Sequence, residues 1–218
     1  MLDLGCGSGS TVTEYRGLGY DAFGCDFAFK DGPDVESHHY HGLIRLIDKT
    51  RYRLPFDDNS FDFVFSDQVF EHVRNYDETL SEIRRVLKPE GISLHFFPSR
   101  YTPIEPHVFV PLATIIQQRW WLAIWTTLGV RGSHQKAMAV REVVDANHIY
   151  LASCTNYLSK RAIARFVSRH FSDYRFCEGP FLKLSSRGRI IHRLGRFVPI
   201  LPSVYSTLRA RVLFFRKR

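Results

Sequence analysis

At 218 residues, 44% of them hydrophobic, the chain suits one domain, or one domain with an insertion, built on a buried core. With 30 Lys and Arg against 22 Asp and Glu its net charge is +8, which favours a polyanionic neighbour, either nucleic acid or an anionic membrane surface. A membrane span needs about 20 mostly apolar residues, and Gln117, Gln118 and Arg119 interrupt the most apolar run, Val110 to Val130. The four cysteines form no CxxC pair or metal-ligand spacing, and no signal peptide is seen, so a reduced, cytoplasmic chain is expected.

The first ten residues organise the rest. Leu2 and Leu4 flank Asp3 as the end of a buried strand, Gly5, Gly7 and Gly9 follow with small residues between them, and Thr11 to Leu18 reads as a helix. A strand, a glycine turn and a helix N-terminus make a nucleotide-type site at the carboxyl end of a parallel strand. The spacing is not the dinucleotide pattern G-x-G-x-x-G, because Ser10 stands where its third glycine belongs. The string Asp3-Leu-Gly5-Cys6-Gly7-Ser-Gly9 resembles the first motif of class I S-adenosylmethionine-dependent methyltransferases. That resemblance implies a doubly wound, Rossmann-like α/β sheet, mostly parallel with an antiparallel last strand. It also implies that Asp3, Gly5, Cys6 and Gly7 lie against the methionine part of the cofactor. Such enzymes carry a helix and a longer first strand upstream. With Met1 already inside the strand, the expectation is an N-terminally truncated fold: either the chain is a fragment or start-site variant, or the fold lacks part of its cofactor lid.

Tyr20 to Cys25 reads as the second strand. Asp26 ends it 17 residues after Gly9, near the separation at which such folds place an acid on the ribose hydroxyls. The alternative is a loop aspartate capping the next turn. Asp26 and its neighbour Phe27 are candidate cofactor contacts. Lys30 to His41 holds His38, His39 and His41 without the cysteine or carboxylate pair of a metal site, and reads as a solvated loop or helix start. Leu43 to Ile47 is the third strand or a helix end. Asp48 is a weak adenine-binding candidate, while Tyr52 or Arg53 either contacts adenine or packs.

Pro55 and the Asp57-Asp58-Asn59-Ser60 cluster make a turn before the apolar strand Phe61 to Phe65. A helix is expected to start from Ser66-Asp67-Gln68. The block from Leu54 to Val73 resembles that of the methyltransferase subgroup containing ubiquinone-pathway and sterol-type enzymes, and implies that Ser66, Asp67 and Gln68 line the cofactor pocket. Some quinone O-methyltransferases hold a divalent metal with Glu-x-x-Glu-His here. Gln68 replaces the first carboxylate, so no metal is expected, and Glu71 and His72 are assigned to helix packing. Tyr76 to Leu87 is an amphipathic helix, stopped by Lys88-Pro-Glu-Gly91, and Ile92 to Phe97 is the fifth strand.

Beyond Phe97 the resemblance fades. Pro98 to Pro111 leaves the carboxyl end of the fifth strand and carries Arg100, Tyr101, Glu105 and His107. Trp120, Trp121 and Trp125 lie on a helix that packs a cap, lines an apolar acceptor pocket or makes a membrane contact. Thr155 to Phe171 reads as a basic helix, Tyr174 to Cys177 as a strand, Arg187 to Arg196 as a further basic segment and Ala210 to Phe215 as the last strand. The expected division is a cofactor core at 1–97, a helical cap at 98–150 and a basic C-terminal part at 151–218, within one domain.

The first reading is methyl transfer to a small-molecule or lipid-like acceptor. His107 is the candidate base, with His72 behind it and Arg100 or Tyr101 orienting. An RNA methyltransferase is the second reading, motivated by the charge, although the chain lacks the Asn/Asp-Pro-Pro-Tyr/Phe tetrad and the Pro-Cys pair of base-directed enzymes. A non-catalytic cofactor-binding protein is the third. Basic segments interleaved with Phe197, Val198, Ile200 and Leu201 suit a peripheral contact with an anionic membrane.

Overall fold

The structure, a computed structural model, describes residues 1–32, 34–184 and 186–218; Pro33, Ser185 and the side chains of Tyr40, Ser186 and Arg187 lie outside the description. In chain order the elements are β1 (Leu2–Leu4), α1 (Ser10–Gly17), β2 (Phe23–Asp26), α2 (Val35–Tyr40), β3 (Ile44–Leu46), β4 (Phe61–Asp67), α3 (Tyr76–Val86) and β5 (Leu87–Pro98). They continue with α4 (Arg119–Thr127), α5 (Val140–Cys154), α6 (Lys160–His170), β6 (Asp173–Phe176), α7 (Glu178–Leu184), α8 (Ser186–Leu194), α9 (Leu201–Arg209) and β7 (Ala210–Arg216).

The seven strands form one sheet in the order β3-β2-β1-β4-β5-β7-β6. β1 pairs in parallel with both β2 and β4, β2 with β3, and β4 with β5, while β6 and β7 are antiparallel. The order reverses beside β1, and ligands of open α/β sheets bind at such a switch point, outside the carboxyl ends of the strands.

The chain divides into two compact units, one of Met1–Phe97, Lys160–Cys177 and Val212–Arg218, the other of Pro98–Ser159 and Glu178–Arg211. The first unit's boundary at Phe97 lies near the end of β5, and residues 160–177 and 212–218 belong to the same unit as 1–97. The physical reason is in the sheet. β6 and β7 extend the core unit's strands, and Lys217 exchanges backbone hydrogen bonds with Glu90 and Gly91 at 2.8 and 3.0 Å.

In the core unit α3 buries Tyr76, Thr79, Leu80, Ile83 and Val86, one face at helical spacing. Its polar face explains the Leu54-Pro-Phe block. Leu54 N–H donates to Glu82, and Arg85 donates to the carbonyls of Leu54 and Phe56 and to Glu82, so the loop before β4 is fastened to the helix behind it. No helix starts at Ser66. Ser66 and Asp67 complete β4, Gln68 adopts φ +56°, and 70–72 is a turn. The basic helix expected over 155–171 begins only at Lys160, because Thr155 is extended where α5 ends. In the second unit α4 and α5 bury Leu122, Val144 and Leu151 with Val108, Val110 and Ala113, and Trp121 and Trp125 pack on this cluster. Trp121 also donates its indole N–H to Pro111 O at 2.7 Å, whereas Trp120 is exposed.

His95 is the buried polar centre of the sheet. Ser93 Oγ donates to Val64 O at 3.0 Å, so it accepts from His95 Nε2–H at 2.7 Å, and Ser66 Oγ–H donates to Nδ1 at 2.7 Å. Phe70 and Phe215 cover the ring, and burial pushes its pKa down to about 3. The unfolded chain takes up this proton first, so the stability from a neutral His95 is complete above its ordinary pKa near 6.5 and is lost as pH falls towards 3. At pH 5 the loss is about 2 kcal/mol. Denaturant titrations from pH 7 to 5 are expected to show a flatter slope for His95→Gln than for the parent, and equal slopes would contradict a buried, neutral His95.

Candidate functional site

The site grows from the end of β1. Leu2, Asp3 and Leu4 are buried between parallel partners, so the chain leaves the strand at a fixed point. Gly5 N–H donates to Cys25 O at 2.7 Å and Cys6 N–H to the same oxygen at 3.2 Å, which turns the loop back over β2. Gly5 and Gly7 take φ of +83° and +56°, a region that side chains disfavour. A Cβ on Gly5 would also stand 2.3 Å from Val69 Cγ2.

Asp26 is held by this loop. Gly7 N–H donates to its Oδ2 at 2.8 Å and Phe27 N–H to its Oδ1 at 2.7 Å. A carboxylate has about four acceptor sites, so both oxygens retain capacity for further donors. Asp3, Asp26 and Asp67 sit on the three adjacent strands β1, β2 and β4. Burial, then the negative charges of Asp26 and Asp67, push Asp3 up to about 7. The Cys6 thiol is pushed up to about 12, first by burial and then by Asp3 and Asp26, and stays protonated. A positively charged ligand group would relieve the repulsion and lower the Asp3 pKa. Lys30, which the sequence reading passed over, lays its stem beside Gly7, with Cδ 3.3 Å from where a Cβ would stand; no spacing signal marked it.

Asp67 accepts from Gln68 Nε2 at 3.4 Å. Ser66 is buried with its hydroxyl on His95, and thus belongs to the core's hydrogen-bond chain. The half-exposed Phe27 ring meets Tyr52 at 5.6 Å, and the Tyr52 hydroxyl accepts from Thr79 at 2.7 Å. Asp48 is exposed and its Oδ1 accepts from the amide and hydroxyl of Thr50, so it shapes a turn; it also lines, with Arg51, Arg53, Leu54 and Phe56, a cavity of about 320 Å³. His72, in the turn after β4, places Nε2 3.8 Å from Oε1 of the buried Glu71.

His107 lies in the second unit, where an acid that the sequence reading named without a role is its anchor. Glu105 is fully buried. It accepts from His107 N–H, His107 Nδ1–H and Val108 N–H at 2.7, 2.7 and 2.6 Å, and from Tyr157 O–H at 2.6 Å. Burial alone would raise its pKa, but the bonds from His107, Tyr157 and Val108 outweigh it and hold the carboxyl below its usual range. An ionised Glu105 only accepts, so Nδ1 carries the proton and Nε2 is the basic atom of the neutral ring. Arg100 does not reach this ring; it donates to Tyr157 O at 3.2 Å and holds the segment that carries Tyr157.

Residues 2–94 match the family model described as a methyltransferase domain. A sterol 24-C-methyltransferase of Gibberella zeae is 32% identical over 100 residues, 42% of this chain and 26% of the relative. A demethylmenaquinone methyltransferase of Geobacillus kaustophilus is 32% identical over 99 residues, 43% of this chain and 42% of the relative. The chain thus spans less than half the length of these relatives. Among solved structures, a Mesorhizobium loti S-adenosylmethionine-dependent methyltransferase aligns at TM-score 0.56 and 13% identity over 99% of this chain and 90% of its own. A Haemonchus contortus phosphoethanolamine N-methyltransferase, in complex with S-adenosylhomocysteine, aligns at 0.52 and 21% over 99% of this chain and 48% of its own. These structural likenesses show the fold, which is the Rossmann-like, mostly parallel methyltransferase sheet.

The loop geometry predicts unequal costs of side chains. Gly5→Ala meets Val69 and a positive φ together, and is expected to lower stability by roughly 2 kcal/mol or more, about 4–8 °C in melting temperature. Gly7→Ala meets only the flexible Lys30 stem and is expected to cost about 1 kcal/mol. Thermal melts that rank the two the other way would contradict the geometry.

Proposed function

We propose that this chain, whose residues 2–94 match the methyltransferase-domain model, is a class I S-adenosylmethionine-dependent methyltransferase and moves a methyl group from that cofactor to a small-molecule or lipid-like acceptor. The observation that carries the reading is the trio of carboxyl groups Asp3, Asp26 and Asp67 beside a glycine loop, a set suited to a ligand that presents positively charged groups. S-adenosylmethionine carries a sulfonium and an ammonium beside its one carboxylate, and it supplies an electrophilic methyl group. Asp3, Gly5, Cys6 and Gly7 would hold its methionine part, Asp26 and Phe27 its ribose side, and Asp67 and Gln68 the flank after β4.

The protein's share of such a displacement is alignment and proton management. His107 is the proposed base, taking the acceptor's proton at Nε2, and Glu105 is its positioning residue, fixing tautomer and ring orientation. His72 is the second candidate. The relatives' names include sterol and quinone-precursor enzymes, which supports acceptors of a lipid-like kind.

Isothermal titration with S-adenosylmethionine and S-adenosylhomocysteine, then methyl-transfer assays on sterol, quinone-precursor and lipid extracts, tests the reading. Asp26→Asn is expected to weaken cofactor binding by about ten- to a hundredfold. Asp3 has a pKa near 7 that a bound cation would lower, so affinity should fall as pH drops below 7, and binding at pH 7 should release protons. That pH dependence should vanish in Asp3→Asn. Glu105→Gln is expected to lower kcat by roughly ten- to a hundredfold with unchanged cofactor affinity. A well-folded chain that binds no cofactor would favour a non-catalytic role, and transfer to RNA alone would favour the second reading.

A further inference from the structure

After Glu178 the chain contains no Asp or Glu, yet it contains ten Lys and Arg. Within this stretch most of the described side chains of α8 and of the turns that follow it are exposed. Gly195 N–H donates to Ile191 O and Val198 N–H to Leu194 O, so the helical path continues past Leu194. Ile190, Leu194 and Phe197 are spaced by four and three residues and share one stripe, while Arg189, Arg193 and Arg196 repeat that spacing one residue earlier on an adjoining stripe. All six side chains are exposed, Phe197 at 85%, and Val198 and Ile200 extend the apolar stripe, Ile200 at 68%. Burial in the core explains none of these apolar groups. Water is a costly place to keep them together, since about 25 cal/mol is lost for each Å² left uncovered.

We propose that residues 189–200 form a docking surface for an anionic lipid bilayer, the arginine stripe meeting headgroup phosphates and carboxylates while Leu194, Phe197 and Ile200 enter the interfacial layer. The paired stripes decide the occupant. A basic face beside an exposed apolar face is the pattern of a segment lying in the plane of a membrane interface. Nucleic acid would engage the arginines and stack on Phe197 but leave Ile190, Leu194, Val198 and Ile200 in water. The surface lies wholly within the second unit and does not depend on the methyl-transfer reading.

The test is flotation of the full chain with vesicles of phosphatidylcholine alone and of phosphatidylcholine with phosphatidylserine, at low and high salt, with RNA binding measured in parallel. The chain is expected to float with the anionic vesicles only, and part of that binding should survive high salt. Arg189→Ala, Arg193→Ala and Arg196→Ala together should weaken vesicle binding about a hundredfold, at about fivefold per basic side chain. Phe197→Ser with Ile200→Ser should remove the salt-resistant part. Because both side chains are exposed, melting temperature should not change, which separates lost docking from lost folding. Equal binding to neutral and anionic vesicles, unchanged binding of the Phe197/Ile200 variant, or RNA binding with vesicles ignored would each overturn the proposal.

Discussion

The hydrogen bond from Gly7 N–H to Asp26 Oδ2, 2.8 Å long, joins the loop after β1 to the end of β2, and the geometry of the cofactor half depends on it. It can form only if Gly7 keeps a positive φ and β1 and β2 keep their register, with Leu4 opposite Cys25. Gly24 protects that register. A side chain there would meet Cys6 Cβ at 2.6 Å, so the loop descends onto β2 where no side chain intervenes. The same carboxylate that recognition of a ribose diol would use is therefore first a structural clamp. Its position is set before any ligand arrives, which is the kind of preorganisation that makes a polar contact worth more than its desolvation.

Two buried ionisable groups, on strands β1 and β5 with β4 between them, are driven in opposite directions by one cause. Burial disfavours charge, so Asp3 rises to about 7 and His95 falls to about 3. Their surroundings then distinguish them. His95 sits among serine hydroxyls and aromatic rings that satisfy both nitrogens of the neutral form, and it needs nothing further. Asp3 faces two further carboxylates, which raise its pKa in the same direction as burial. The centre of the sheet is thus electrically quiet, and its carboxyl edge gathers the three carboxyl groups of Asp3, Asp26 and Asp67.

In the second unit Glu105 plays the corresponding part. One buried carboxylate gathers two amides, an imidazole and a phenol from segments about fifty residues apart in sequence. A carboxylate this far from water survives ionised only because four donors replace its solvation. The same bonds fix His107 in one tautomer. The unit's α8 and the turns that follow it are built on the opposite logic, with Arg189, Arg193 and Arg196 and apolar groups left at the surface. No helix of the described residues is long and apolar enough to cross a membrane.

The sequence by itself determined the elements whose signals are local. Alternating glycines at 5, 7 and 9, Asp26 at its spacing, the apolar run at 61–65 and the helical face of 76–86 report strand, turn and helix directly, because period and turn chemistry act over a few residues. From them the parallel sheet, the family resemblance and the candidacy of Asp3 and Asp26 were legible. Only the tertiary structure decided the rest. Ser66, chosen by its position after the fourth strand, bonds to a histidine 29 residues away, and nothing local marks that choice. Glu105 gained its role from Tyr157, 52 residues later, and the final strands joined the core unit through pairing that no sequence period encodes. Spacing along the chain fixes which backbone each residue adopts. Which charges meet, and which are left uncompensated, is set by contacts between distant segments, and those exist only once the sheet has closed.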